Sequence, residues 1–416
     1  MEQKKVKGGA LQFVLFIGVV ITILLMAFLL LSHTQSLFKK KVDVYKTLVK
    51  TVNVGFLLNK EKDELNFKKY TADHGIKYTI IDSLWGVYPL KRVEAKKGKQ
   101  RFRKSGLLGY YWENRPAVYL EDKNRPLVLA GDTKLVGDIF LPSRGIKRGN
   151  INGSSYNKEL LVYGREYASD SVLPFMDNLL LEKLQQLALQ KATLQGDFIE
   201  FEEGQKLTNS FYNPLKIISG ENIELRSVSI TGHIVIRASK QIVVHENAIL
   251  KDVILIAPNI TLNNNCHGNF QMFSNEKIKV GNNVSLNYPS SVVYVQNELK
   301  PLEPNLGIPI HIGNGTVING SFFIDVSEKN KSDYLPEVKL IEGATLNGEI
   351  YCNGIVETWG RINGTAYVQG FVTMTGGSIY QNHLYNTEVN ASNLADEFLG
   401  FSYNGNNDKR VVKWLY

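Results

Sequence analysis

With 416 residues, 44% of them hydrophobic and 21% charged, the chain has globular composition and enough length for two or three domains. Its 35 glycines and 12 prolines lie within ordinary usage, which excludes collagen-like and disordered classes. The two cysteines, Cys266 and Cys352, form no CxxC pair, so a disulfide framework or a structural zinc site is not expected.

Residues 1–9 read as a basic leader and residues 10–32 as a transmembrane helix. From Ala10 to Leu31, a run of 22 residues, Gln12 is the only strongly polar side chain. At a helical rise that is about 33 Å, matching a hydrocarbon core of roughly 30 Å. The run exceeds the apolar core of a signal peptide, and Ser32-His33-Thr34-Gln35 is a poor cleavage site. Lys4, Lys5 and Lys7 bracket it on one side and Lys39-Lys40-Lys41 on the other, which a buried core helix would not need. The chain is therefore expected to be a single-pass membrane protein. Net charge is +8, with +15 in residues 1–150 and −7 in residues 151–416. Because the basic half is the membrane-proximal half, the bias is read first as attraction to anionic headgroups, with nucleic acid the less favoured partner.

Residues 33–66 read as an amphipathic extension of the same helix. Phe38, Val42, Tyr45, Val49, Val52 and Phe56 form a heptad seam, and no proline occurs before Pro89. Such a seam packs either on the chain's own globular part or on neighbouring helices in an assembly. The leader ending in Gly8-Gly9, followed by Ala10-Leu11-Gln12-Phe13-Val14-Leu15 and an apolar run turning amphipathic, resembles the N-terminus of type IV pilins and pseudopilins over about 50 residues. The resemblance implies cleavage after the glycine by a prepilin peptidase and a helix packed in a filament core. The glutamate usual five residues after the cut is replaced by Phe13 or Val14. Some tip-located minor pseudopilins share that departure, so the resemblance points to a tip or accessory subunit with its body on the non-cytoplasmic side.

Residues 67–120 alternate as a small membrane-proximal β region, with Tyr78–Ile81 and Leu84–Tyr88 as strand candidates. A hairpin with its tip near Lys97-Gly98 carries Lys91, Arg92, Lys96, Lys97, Lys99, Arg101, Arg103 and Lys104 against the single acid Glu94. These residues are candidates for contact with the phosphates of anionic lipid or nucleic acid; a merely solvated hairpin has the same composition.

Residues 121–170 read as the first solenoid-like strands, 171–195 as an inserted helix rich in Leu179, Leu180, Leu181 and Leu184, 196–385 as a β-solenoid and 386–416 as a C-terminal tail. An apolar–(Asn/Thr)–Gly–x–apolar motif recurs at Ile230–Ile234, Ile318–Phe322, Leu346–Ile350 and Ile362–Ala366. Ile242, Ile260 and Ile278 are spaced by 18 residues, as are Val244, Leu262 and Val280, whereas Gly348 and Gly364 are spaced by 16. Short strands recurring at this interval are what a parallel β-solenoid (β-helix) requires, because each coil buries its apolar ladder only against its neighbours. The fold class expected is thus mainly β, a solenoid behind an N-terminal transmembrane helix. The register predicts a buried column of Ile230, Ala248, Cys266 and Val284, Cys352 over Val368, and Val228, Glu246, Asn264 and Asn282 at a corner. The segment 125–142, headed by Asn124-Arg125-Pro126-Leu127, resembles an uncharacterised bacterial membrane-anchored family, and the repeats resemble those of the bactofilins, which polymerise end to end beside membranes.

Many β-helices are polysaccharide lyases or hydrolases, which need converging carboxylates. In the 18-residue register Asp252 aligns with Ile234 and Phe270, and Glu276 with Pro258 and Tyr294, so no such pair forms. The polygalacturonase acid cluster is missing, and His267 reads as a turn residue. No HExxH or GxSxG motif occurs, and Gly313–Gly320 lies in a strand pattern rather than before a helix. No catalytic, metal or cofactor residue is therefore named, and no cofactor is expected. The expected function is a membrane-anchored structural, assembly or adhesion protein, with the bilayer, envelope proteins and glycans as partners. A surface-anchored polysaccharide-acting enzyme and a bactofilin-like polymer are the alternatives.

Overall fold

The computed structural model describes residues 8–58, 61–298, 307–328, 331–332, 334–403, 405 and 408–416. Residues 1–7 of the expected basic leader, with Lys4, Lys5 and Lys7, lie outside them. Contacts divide the chain into two compact units: residues 1–81 with 92–104, and residues 82–91 with 105–416.

In the first unit, helix α1 (Gly8–Phe56) runs unbroken through 49 residues. Its apolar N-terminal stretch, from Leu11 to Leu31, is exposed throughout, and the helix is long and apolar enough to cross a membrane. Its last turns are different: Leu48, Val52 and Phe56 are buried. Gly55 allows this, since a Cβ there would sit 2.7 Å from Val93 Cγ1 and 3.7 Å from Phe67. Tyr45 meets Phe102 edge to face at 5.5 Å. Helix α2 (Glu61–Asp73) follows, and Phe67 packs on Tyr78 at 4.7 Å.

Strands Lys77–Trp85, Tyr88–Lys97, Gln100–Tyr110 and Lys409–Leu415 form a four-stranded sheet in that order. The expected strand Leu84–Tyr88 is instead split by a turn at Gly86, whose φ of 61° favours glycine. Residues 386–416 are not a tail: Glu388–Asn390 joins the main sheet, and Lys409–Leu415 pairs antiparallel with Ser105–Tyr110.

The second unit is built on one closed, almost wholly parallel sheet. Most strands pair in parallel with one further along the chain, and Ile242, Ile260 and Ile278 lie in direct register, as their spacing predicts. Cys352 lies opposite Val368. One predicted column is off by two residues, because Ile230 pairs with Leu250 and not with Ala248. That coil is twenty residues long, so Val228, not Ile230, heads the buried column with Ala248, Cys266 and Val284, and Val228 is not a corner residue. Asp252 is likewise out of its expected alignment. It sits in a bulge at φ 61°, and Val253 takes the place opposite Phe270.

The recurrent Asn-Gly pair has a physical cause. At Gly348 and Gly364 the φ values are 153° and 145°, and a Cβ at either would lie 1.8 Å from the carbonyl oxygen of the rung below. Only glycine fits that approach. The preceding asparagines form a hydrogen-bonded ladder: Asn347 donates to Asn319 at 2.8 Å and Asn363 to Asn347 at 2.7 Å.

The order of rungs differs from the order of the chain. Val118–Leu120 stacks on Ala366–Val368, Lys134–Val136 on Glu388–Asn390, and Glu166–Ala168 on Ile139–Leu141. The strands of this sheet that come first in the chain therefore stack on those that come last. In the segment 149–165, Ile151, Tyr156 and Val162 are buried, and Tyr163 bridges Val136 in parallel. Helix α3 (Asn178–Ala188), capped by Asp177 on the Leu180 amide, then packs Leu180, Leu184 and Ala188 on the outside of the sheet. The chain begins the opposite end at Asp197–Ile199, which pairs with Lys216–Ile218.

Candidate functional site

The basic hairpin residues do not form one uniform surface. Lys96, Lys99, Arg101 and Arg103 are exposed, Arg92, Lys97 and Lys104 are half-buried, and Lys91 is buried, which takes it out of the proposed contact face. Lys104 Nζ donates to Asn53 Oδ1 at 2.8 Å and so ties the hairpin to α1 within the first unit. Along the seam, Phe38 and Tyr45 are exposed, Val42 and Val49 half-buried, and Val52 and Phe56 buried. The membrane-distal end of the seam is covered by the chain's own residues.

The buried acids each have a protein partner. Glu349, fully buried, faces Arg115 Nη1 at 3.3 Å and accepts from the Phe401 amide at 2.6 Å and Ser321 Oγ at 3.1 Å. Burial pushes its carboxyl above the usual range, against the pull of Arg115. Glu357 meets Lys339 at 2.9 Å and Trp359 Nε1 at 2.9 Å, and Asp252 meets Lys413 at 2.5 Å. Glu337 accepts from the Ile355 amide at 2.5 Å, and burial raises its carboxyl to about 7. These contacts hold loops and the C-terminal strand onto the sheet. Burial raises the Cys266 thiol to about 11, and Cys352 is also raised by burial, so neither is a nucleophile. His267 is exposed at a strand start. Among the described residues, no group of three or more His, Cys, Asp or Glu is arranged to hold a metal.

A polar cleft of about 180 Å³ in the second unit is lined by Lys123, Arg125, Ile355, Gln369, Gly370, Gln381 and Asn382. Its parts come from distant chain segments brought together when Val118–Leu120 stacks on Ala366–Val368. Both cations are positioned by neighbours: Lys123 Nζ by Glu121 at 2.7 Å, and Arg125 Nη1 by Gln381 Oε1 at 2.7 Å. Asn382, at φ 52°, accepts from the Phe371 amide through its side chain and gives its carbonyl to the Val128 amide. Gln369 is 6% exposed, and its Oε1 is buried with no hydrogen-bond partner. Sequence reading named Arg125 only as part of a resemblance and missed the rest, because no local spacing links residues 123–125 to 369–382.

No family model, no curated protein and no solved structure matches this chain.

Proposed function

We propose that this chain is a membrane-anchored structural or adhesion protein, an accessory pilin-like component of a cell-envelope machine, whose closed parallel sheet is a β-solenoid held on the non-cytoplasmic side. The observation that carries this reading is the division of α1: Leu11 to Leu31 is exposed and apolar, whereas Leu48, Val52 and Phe56 are buried in the chain's own fold. A bare apolar surface of that length is compatible with water only if lipid or other helices cover it. The solenoid reading rests on successive parallel pairings at intervals of 15 to 32 residues, as in Val356 with Phe371 and Ile278 with Ile310.

Two features weigh against the alternatives. The buried acids are each engaged by a different partner within the chain, which gives their charges a structural use. Against a bare polymer-forming solenoid stands the outside of the sheet, on which helix α3 packs Leu180, Leu184 and Ala188. The test is membrane extraction joined to protease protection. Carbonate-washed membranes should retain the full chain, deletion of residues 1–36 should release a soluble body, and protease outside intact cells should degrade the body. Recovery of the full chain in the wash would defeat the anchor, and complete protection of the body would defeat its placement.

A further inference from the structure

We propose that the basic hairpin and the lysines of α1 beside it form a collar that binds the anionic phospholipid headgroups of the bilayer crossed by α1. The inference rests on that crossing and holds whichever side the body occupies.

The hairpin lies along α1 in a fixed register within the first unit. Val93 stands where a Cβ on Gly55 would come within 2.7 Å, and Lys104 Nζ donates to Asn53 Oδ1 at 2.8 Å. Phe102 meets Tyr45 at 5.5 Å, and Gln100 Nε2 donates to the Lys41 carbonyl at 3.3 Å. Residues nearer the tip therefore meet residues nearer the apolar stretch, and the tip at Gly98 is directed toward it. Alternation along the strand turns Gln100, Phe102 and Lys104 to the helix and leaves Arg101 exposed on the other face. Two basic segments distant in sequence are thus brought together. They are Lys39, Lys40 and Lys41 on the helix and Lys96, Lys99 and Arg101 about the tip, all exposed.

Distance from the bilayer decides the partner. Lys41 is ten residues past Leu31, where the apolar run ends, or about 15 Å along a helix. Headgroups occupy about 5–8 Å on each side of the hydrocarbon, so the collar stands about one Debye length from them. At that range each Lys or Arg is drawn to an anionic surface, and the long side chains reach further toward it. Against these cations, residues 39–50 and 91–104 hold only Asp43 and Glu94 as acids. Helix α2 marks the far end of the unit. Its Phe67 lies beside Gly55, about 36 Å past Leu31, where the field of the headgroups is screened.

The experiment uses the full chain reconstituted in phosphatidylcholine vesicles with traces of spin-labelled phosphatidylcholine or phosphatidylglycerol. The chain should float with the vesicles and immobilise both labels, and phosphatidylglycerol should be held at least about threefold more strongly. Salt at about 1 M, where the Debye length is about 3 Å, should remove most of this preference. Combined Lys96→Gln, Lys99→Gln and Arg101→Gln should lower it at least about twofold, whereas Lys68→Gln with Lys69→Gln, exposed on α2, should leave it unchanged. Failure to float or to immobilise either label would overturn the crossing, and the collar with it. Immobilised lipid without headgroup preference, a preference untouched by the hairpin substitutions, or one lowered equally by those on α2, would overturn the collar alone. Duplex DNA bound as tightly by the chain in phosphatidylglycerol vesicles as in phosphatidylcholine vesicles would assign these cations to nucleic acid and overturn it as well.

Discussion

Truncating Ile260 to alanine probes the ladder at its most demanding point. Ile260 is 1% exposed and lies in register between Ile242 and Ile278, each a rung away at about 4.8 Å. Removing three carbons at about 0.8 kcal/mol each forfeits roughly 2.4 kcal/mol of transfer free energy. A cavity term adds to this, because the flanking rungs are held by their own backbone hydrogen bonds and cannot close the gap. The cost should therefore fall in the upper part of the range of about 2–5 kcal/mol seen for such truncations. The neighbouring Thr261→Ala removes an outward, half-buried side chain and should cost well under about 1 kcal/mol. Urea midpoints followed by tryptophan fluorescence give the comparison. Cys266 supplies a second readout in the same interior. Its thiol is buried and raised to about 11, so it reacts only when the coil opens. If opening involves the whole coil, Ile260→Ala should speed its modification about a hundredfold or more, since each 1.4 kcal/mol is a factor of ten. Rapid labelling of Cys266 in the native protein, together with a silent Ile260→Ala, would refute the register.

Three further substitutions test separate links. Glu337 has a carboxyl raised from 4.5 to about 7, so its contribution is complete below about pH 4.5 and is lost as pH rises through about 7. Glu337→Gln should consequently raise the melting temperature near pH 8, by an amount worth on the order of 3 kcal/mol at most, and bring no gain near pH 5; a gain that does not vary with pH would contradict this. Val52→Asp should unfold the first unit or cost several kcal/mol, whereas Phe38→Asp, at an exposed position, should leave its melting unchanged; equal effects would mean that the seam is not divided as described. Arg115→Ala strands Glu349 in the interior and should cost about 3–5 kcal/mol in a denaturation midpoint, and a loss below about 1 kcal/mol would show that the pair contributes little.

Much of the architecture was legible in the sequence because it is carried by local periodicity. The run from Ala10 to Leu31 needs only its own length and composition to declare a helix long and apolar enough to cross a membrane. The equal spacing of Ile242, Ile260 and Ile278 matches their register in the parallel sheet, and the 16-residue spacing of Cys352 and Val368 places them opposite each other in the same way. Departures began wherever a coil changed length. The twenty-residue spacing of Ile230 and Leu250 put Val228 where Ile230 had been expected, the bulge at Asp252 put Val253 opposite Phe270, and no periodic signal marks either slip. The return of Lys409–Leu415 to Ser105–Tyr110, and the stacking of Val118–Leu120 on Ala366–Val368, were decided only by the tertiary structure. A rung's edge offers the same backbone donors and acceptors to any other strand, so which segments meet is chosen by side-chain fit over the whole fold. The cleft at Lys123, Arg125, Gln369 and Asn382 and the Arg115–Glu349 pair exist only because of that choice, which joins residues more than 200 positions apart through contacts that neither segment encodes by itself.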